Sequence, residues 1–295
     1  MIVSPGQSLR TVELENDWLR AALLPDVGAK IYDLIWKDRN RNLLWHNPRI
    51  APRTYPVEGV FDNYWCGGWD DCFPTCDACE FRGEQYPNLG ELRSLCWTVE
   101  SQDRTAVALS TFGPISTVRA EKTVVLDAVA PALRISHRVT NLGPLPLDFV
   151  WGTHPAFQPF GRMVLRIPGR TGIVGEASTP LFGTPGQRYA WPMLTARGLV
   201  DMSLVRGREL GAYCGHYVTD LEAGWYAVED LDSGDGLLVR FPEKLCPYLW
   251  LWMAYGGYRP PSRHRRTVDQ LSRESCRSGS NEHEPPPAAG RDLRR

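Results

Sequence analysis

The sequence predicts an all-β protein, a large sandwich of stacked antiparallel sheets. Three observations predict this class. Short runs in which apolar and polar residues alternate recur along the chain, each bounded by Pro, Gly, Asn or Asp, and a period of two is that of a strand with one buried face. No segment carries the apolar stripe of about a dozen residues that an amphipathic helix needs. The 24 prolines and 27 glycines among 295 residues suit a fold with many tight connections. An all-β chain of this length fits a single unit whose sheets bury their apolar faces against one another.

The elements follow in order. In "RTVELENDWLRAALLPDVGAKIYDLIWKD", Val12 and Leu14 precede an "END" turn, "WLRAALL" leads to a "PDVG" turn, and "AKIYDLIW" makes a third strand. The stretch from Asn47 to Glu91 shows little alternation and is rich in Tyr, Trp, Cys, Gly and Pro; it reads as a structured loop that walls a site. Alternation returns in "TAVALST", "KTVVLDA" and "ALRISHRVTN", where Leu133, Ile135, His137 and Val139 share one face. "DFVWGTHP" reads as a buried strand in which Asp148, Val150, Gly152 and His154 alternate with Phe149, Trp151 and Thr153, ended by Pro155. "GWYAVEDLDSGDGLLVRF" is a hairpin turning at "SGDG", and "PYLWLWMAYGGYR" is an intensely apolar last strand. From Pro260 onward there is no Phe, Trp or Tyr and eight residues are Arg. The expected organisation is a sandwich domain over 1–259 and a disordered tail over 260–295, too poor in apolar surface to offset its ordering entropy. The break in composition is also what a reading-frame change would produce.

A net charge of -1 offers no field for nucleic acid or an anionic membrane. No apolar run is long enough to span a bilayer, and "MIVSPGQSLR" has no signal pattern, so the expected location is cytoplasmic. Eight cysteines in a chain this long are read as thiols rather than a disulfide framework. Cys76 and Cys79 have CxxC spacing, but no second pair completes a zinc site, and no Gly-rich phosphate loop is present; no metal or cofactor is expected.

Five segments, "ENDWLRAALLPDVGAKIYDLIWKDRNRNLLWHNP", "GGWDDCFPTC", "PNLGELRSLCW", "VTNLGPLPLDFVWGTHPAFQ" and "PYLWLWMAYGGYR", resemble the galactose mutarotase-like (aldose 1-epimerase) superfamily in order and rough spacing, from about Leu9 to Arg259. The resemblance implies a twisted antiparallel β-supersandwich that binds a small-molecule sugar and interconverts its anomers without a cofactor. Opening a hemiacetal needs a base at the anomeric hydroxyl and an acid at the ring oxygen, and histidine suits the acid because its pKa lies near neutrality. His154 matches the family's "THP" histidine, which the resemblance implies is that acid. It also sets Trp69, Asp70 and Asp71 of "GGWDDCFP" near the site.

Three departures accompany the likeness. Leu89 stands where the family often has a second histidine, with Glu91 and Arg93 nearby; these suit sugar hydroxyls and equally suit a solvated strand face. No glutamate follows "WMAYGGYR" in an apolar strand, and Glu274, Glu282 and Glu284 all fall in the tail, so the family's catalytic base is carried onto none of them. The tail itself is the third. Trp250 and Trp252 share one face of the last strand and read as core or as ligand-facing; Trp252 is retained as a candidate. His46 and His137 read as structural. The alternatives to an epimerase are a sugar-binding module that has lost efficient catalysis and a truncated product lacking its last strands. Neither the particular sugar nor the oligomeric state is written in these residues.

Overall fold

The computed structural model describes residues 8–258; the predicted boundary at residue 259 and the tail lie outside the described residues. Every regular element is a strand or a short 3-10 turn, and the named strand pairs are all antiparallel. A six-stranded sheet carries Val12–Glu15, Leu19–Leu24, Lys30–Trp36, Arg41–Asn42, Trp69–Cys72 and Gly152–Pro155. Against it packs a four-stranded sheet of Thr98–Gln102, Ala106–Gly113, Val118–Leu126 and Leu133–Asn141. A second four-stranded sheet contains Thr171–Val174, Arg188–Ala190, Ala212–Thr219 and Leu249–Tyr255, and a three-stranded one contains Met163–Arg166, Trp225–Asp230 and Gly236–Arg240.

The alternation read from the sequence is what builds the first core. Leu14, Leu23 and Ile31 on the six-stranded sheet meet Leu109, Val118 and Val124 on its neighbour, all essentially without exposure, with Trp97 buried among them. Each such side chain contributes about 1.5–3 kcal/mol of burial free energy. A second core gathers Val174, Phe182, Leu194, Cys214, Met253 and Tyr255. Beside it His216 is fully buried, its Nδ1 2.9 Å from the Tyr189 hydroxyl. Burial pushes its imidazole down to about 4.

The hairpin over residues 224–241 forms as read, with Trp225 paired to Arg240. Two readings are corrected. The strand expected from Asp148 is confined to Gly152–Pro155. Its partner, Trp69–Cys72, is equally short, and two residues beyond Cys72 stands Pro74, which has no N–H to extend the ladder. The Val150 N–H donates instead to the Pro74 carbonyl, and Phe149 lies half in solvent. The long connection from Asn47 to Glu91 is not all loop: it holds Trp69–Cys72 and a ribbon of Cys79–Phe81 with Glu84–Tyr86. All four residues of Trp69–Cys72 are buried, so there is no alternation to read. The chain enters this strand through Gly67 and Gly68, both at positive φ; a Cβ on Gly67 would lie 2.1 Å from the Trp45 carbonyl oxygen.

Candidate active site

His154 and Asp70 are register partners across Gly152–Pro155 and Trp69–Cys72, which places both side chains on the same face of the sheet. Successive strand residues point to opposite faces, so Asp70 and Asp71 serve two different environments. Asp70 accepts from Lys30 Nζ at 2.9 Å, and the same ammonium donates to the Gly67 carbonyl at 2.7 Å; Lys30 and Asp70 are both buried. Asp71 faces the four-stranded sheet, where Lys122 Nζ donates to it at 2.7 Å and His137 Nε2 lies 3.1 Å away. Burial alone would raise the Asp71 carboxyl, but Lys122 and His137 outweigh it and hold the group well below the usual carboxylate range. His137, read as structural, is therefore half of an inter-sheet clasp.

The ring of His154 sits among aromatics. Trp65 lies 5.5 Å away centroid to centroid, Phe61 meets it edge-on at 6.1 Å, and Trp250 lies nearly parallel at 6.2 Å. Its Nδ1 is excluded from solvent and has no hydrogen-bond partner among the described residues. Burial pushes the imidazole pKa below its ordinary value; Asp70 opposes this and Lys30 adds to it. The wall continues from Trp250 through Trp252, 5.8 Å on, to Tyr258, whose ring meets Trp252 edge-on at 4.9 Å. The Tyr258 hydroxyl donates to Asp62 Oδ2 at 3.1 Å, and Asp62 adjoins Phe61 in the 3-10 turn Phe61–Asn63. Side-chain contacts thus run from His154 through Trp250, Trp252 and Tyr258 to Asp62, and the chain itself links Asp62 to Phe61, whose ring returns to His154.

The residues singled out from sequence fall into four places. His154 and Trp252 line the cup, and Asp70 lies at its base in the pair with Lys30. Trp69 belongs to the first core and packs edge-on to Phe157, while Asp71 faces the sheet interior. Glu91 is fully buried and accepts from the Ile115 N–H at 2.8 Å, the Ser116 N–H at 3.1 Å and the Ser116 hydroxyl, holding a turn rather than facing the cup. Arg93 donates to the Asn88 carbonyl at 2.7 Å, the Tyr55 hydroxyl at 2.9 Å and the Gly59 carbonyl at 3.3 Å, and its guanidinium lies 5.3 Å from the Phe61 ring. It braces the segment that carries Phe61 and Asp62. Sequence reasoning missed Lys30, Phe61, Asp62, Trp65 and Tyr258, and weighed Trp250 without retaining it; for Phe61, Asp62 and Trp65 the density of aromatics between residues 55 and 65 was the available signal. His46 stacks on Tyr32 at 3.8 Å and sits 2.9 Å from its carbonyl, a structural arrangement. Among the described residues no group of His, Cys, Asp and Glu is arranged to hold a metal ion, no cysteine is in a disulfide, and no helix is long and apolar enough to cross a membrane.

No family model matches the chain. Solved structures do. The Slr1438 protein of Synechocystis sp. PCC 6803 superimposes with a TM-score of 0.62 at 21% identity, covering 87% of this chain and 85% of its own. A galactose mutarotase related enzyme from Lactobacillus acidophilus gives 0.60 at 16% identity, covering 82% and 80%. An Escherichia coli K12 protein with a provisional aldose 1-epimerase name gives 0.55 at 15% identity, covering 78% and 77%. The architecture resembled in the sequence is therefore the architecture adopted: this chain has the fold of the galactose mutarotase-like, aldose 1-epimerase proteins.

Proposed function

We propose that this chain binds a small sugar and interconverts its anomers by acid–base ring opening, with His154 serving the ring oxygen as general acid. The observation that carries the reading is the His154 ring within a cup of Phe61, Trp65 and Trp250, its Nδ1 dry and without a partner. Aromatic faces receive the apolar C–H faces of a pyranose, and an unpaired ring nitrogen is a group waiting for a polar partner. In this reading Trp252 extends the stacking wall and Asp70 tunes the imidazole. Trp69, Asp71, Glu91 and Arg93 support the walls rather than meet the sugar. Each positioned acid or base is worth about 10²–10⁴-fold in rate.

The test is polarimetry of freshly dissolved α-D-galactose and α-D-glucose with the full chain and with His154→Ala. Acceleration by the parent, lost in the variant, supports the reading; no acceleration by a folded parent refutes it. A second reading, a sugar-binding protein without efficient catalysis, is favoured by one observation: no glutamate follows "WMAYGGYR" in an apolar strand, where the resemblance sets the base. Quenching of tryptophan fluorescence by the same sugars, without acceleration, would select it.

A further inference from the structure

The epimerase reading leaves the chemistry one group short. Opening a hemiacetal needs two proton-transfer groups on opposite sides of the anomeric centre. We propose that Asp62 is the carboxylate that completes the site, exchanging the anomeric-hydroxyl proton while His154 serves the ring oxygen. This inference rests on the function proposed above.

Three observations carry it. Asp62 follows Phe61, whose ring meets His154 edge-on, and its carboxylate accepts from Tyr258, whose ring packs on the Trp252–Trp250 wall that reaches the His154 ring. The carboxylate is positioned from both directions. The Tyr258 hydroxyl, 196 residues away in sequence, donates to Oδ2, and the turn that carries Asp62 is braced by Arg93 beneath Phe61 and by Arg53, whose guanidinium donates to the Asn63 carbonyl at 3.1 Å. Finally, the two carboxylates of the floor strand are already paired with cations, Asp70 with Lys30 and Asp71 with Lys122, beside His137. Asp62 is half-buried and its described partner is neutral.

The step balances without a co-reactant. Asp62 takes the O1 proton, the C1–O1 bond becomes a carbonyl as C1–O5 breaks, and the electron pair left on O5 takes a proton from His154. After rotation about C1–C2, His154 recovers the O5 proton as O5 attacks C1, and O1 recovers its proton from Asp62. Nothing is oxidised or reduced.

The working state holds one proton between the two groups. Burial raises the Asp62 carboxyl above its ordinary 3.8, with the Tyr258 hydroxyl opposing, and burial lowers His154 below its ordinary 6.5. The acid limb of the kcat/KM profile is therefore expected above the ordinary carboxylate value and the basic limb below the ordinary imidazole value. The charged and titratable groups around the pair are Arg53 and Arg93 on the Phe61 side, Tyr258 and Tyr213 on the far wall, and Lys30 with Asp70 beside His154.

The experiment is polarimetric mutarotation of α-D-galactose and α-D-glucose across pH with the full chain, Asp62→Asn and Tyr258→Phe, each checked for folding by circular dichroism. Asp62→Asn keeps the shape and an acceptor for Tyr258. It is expected to lower kcat by about 10²–10⁴-fold, with a much smaller change in KM. Removing the Tyr258 hydroxyl is expected to move the acid limb up by about 1 pH unit, a shift that a purely structural role would not produce. If the parent accelerates mutarotation and Asp62→Asn stays within about twofold of it, far short of the loss expected of a general base, Asp62 is overturned and the epimerase reading stands. If the folded parent does not accelerate it, both fall together. Should Asp62→Asn unfold, the acid limb of Tyr258→Phe decides alone: unmoved, it overturns the assignment.

Discussion

Replacing Lys122 with methionine removes the cation that clasps the two sheets of the first core. Lys122 and Asp71 are 0% and 1% exposed at 2.7 Å, so the modest value of a solvated surface pair does not apply. The variant leaves the Asp71 carboxylate in a dry interior with His137 as its remaining partner. Leaving one member of a buried pair uncompensated costs about 3–5 kcal/mol, roughly a 10 °C fall in Tm for a domain of this size. The sign of the pH dependence follows. In the parent, Asp71 has a depressed pKa, so its contribution is present above the unfolded carboxylate value of 3.8 and is lost as pH falls through the lower folded value. In the variant the same carboxyl is raised by burial, so the penalty is full at pH 7 and shrinks as acid protonates it. The double variant Lys122→Met/Asp71→Leu is expected to recover much of the loss, because an apolar replacement for a buried pair is often neutral. Urea unfolding at pH 7 and pH 4 reads all three proteins. A cost below about 1 kcal/mol at pH 7, the range of a solvated pair, or one that grows toward pH 4, would refute the reasoning.

Other expectations follow from the same description. His216 stays neutral when folded, with its pKa near 4 against an ordinary 6.5, so stability should fall as pH drops through that window; His216→Leu should flatten this slope in acid unfolding curves, although it strands the Tyr189 hydroxyl at a cost of about 1–3 kcal/mol. Gly67→Ala sets a Cβ against the Trp45 carbonyl at a backbone angle of +88°, and a Tm lower by several degrees, from about 1–3 kcal/mol of strain, should be seen by calorimetry.

Much of the fold could be read from alternation because its sheets have one buried and one wetter face. Val12 and Leu14, or Val118 through Leu126, announce themselves in this way. Trp69–Cys72 did not, because a strand buried on both sides carries no period, and Asp148–Trp151 read as strand because its alternation is real while its partner strand is too short to pair with it. Around the candidate cup, the residues named from sequence are His154 of the "THP" stretch, Asp70 and Trp252. What surrounds it is long-range: Lys30 reads as an ordinary polar strand residue until Asp70, forty positions later, is packed against it, and Asp62 meets Tyr258 only when the chain has come full circle. Asp70 and Asp71 drew attention as neighbours in sequence, yet the pleat sends them to opposite sides.

That division has a consequence for how this protein can change. Trp69–Cys72 is simultaneously the floor of the cup and a rivet between two layers, so the strand has little freedom to drift: a substitution at Asp70 is also felt through the clasp one residue on. The rim is made differently. Phe61, Asp62, Trp65 and Tyr258 come from connections, held by side chains such as Arg93, Arg53 and the Tyr258 hydroxyl rather than by a ladder. Under the function proposed above, variation in specificity is therefore expected to accumulate around the mouth while the floor stays the same, which makes residues 55–65 and 256–258 the segments to randomise in a library aimed at a different sugar.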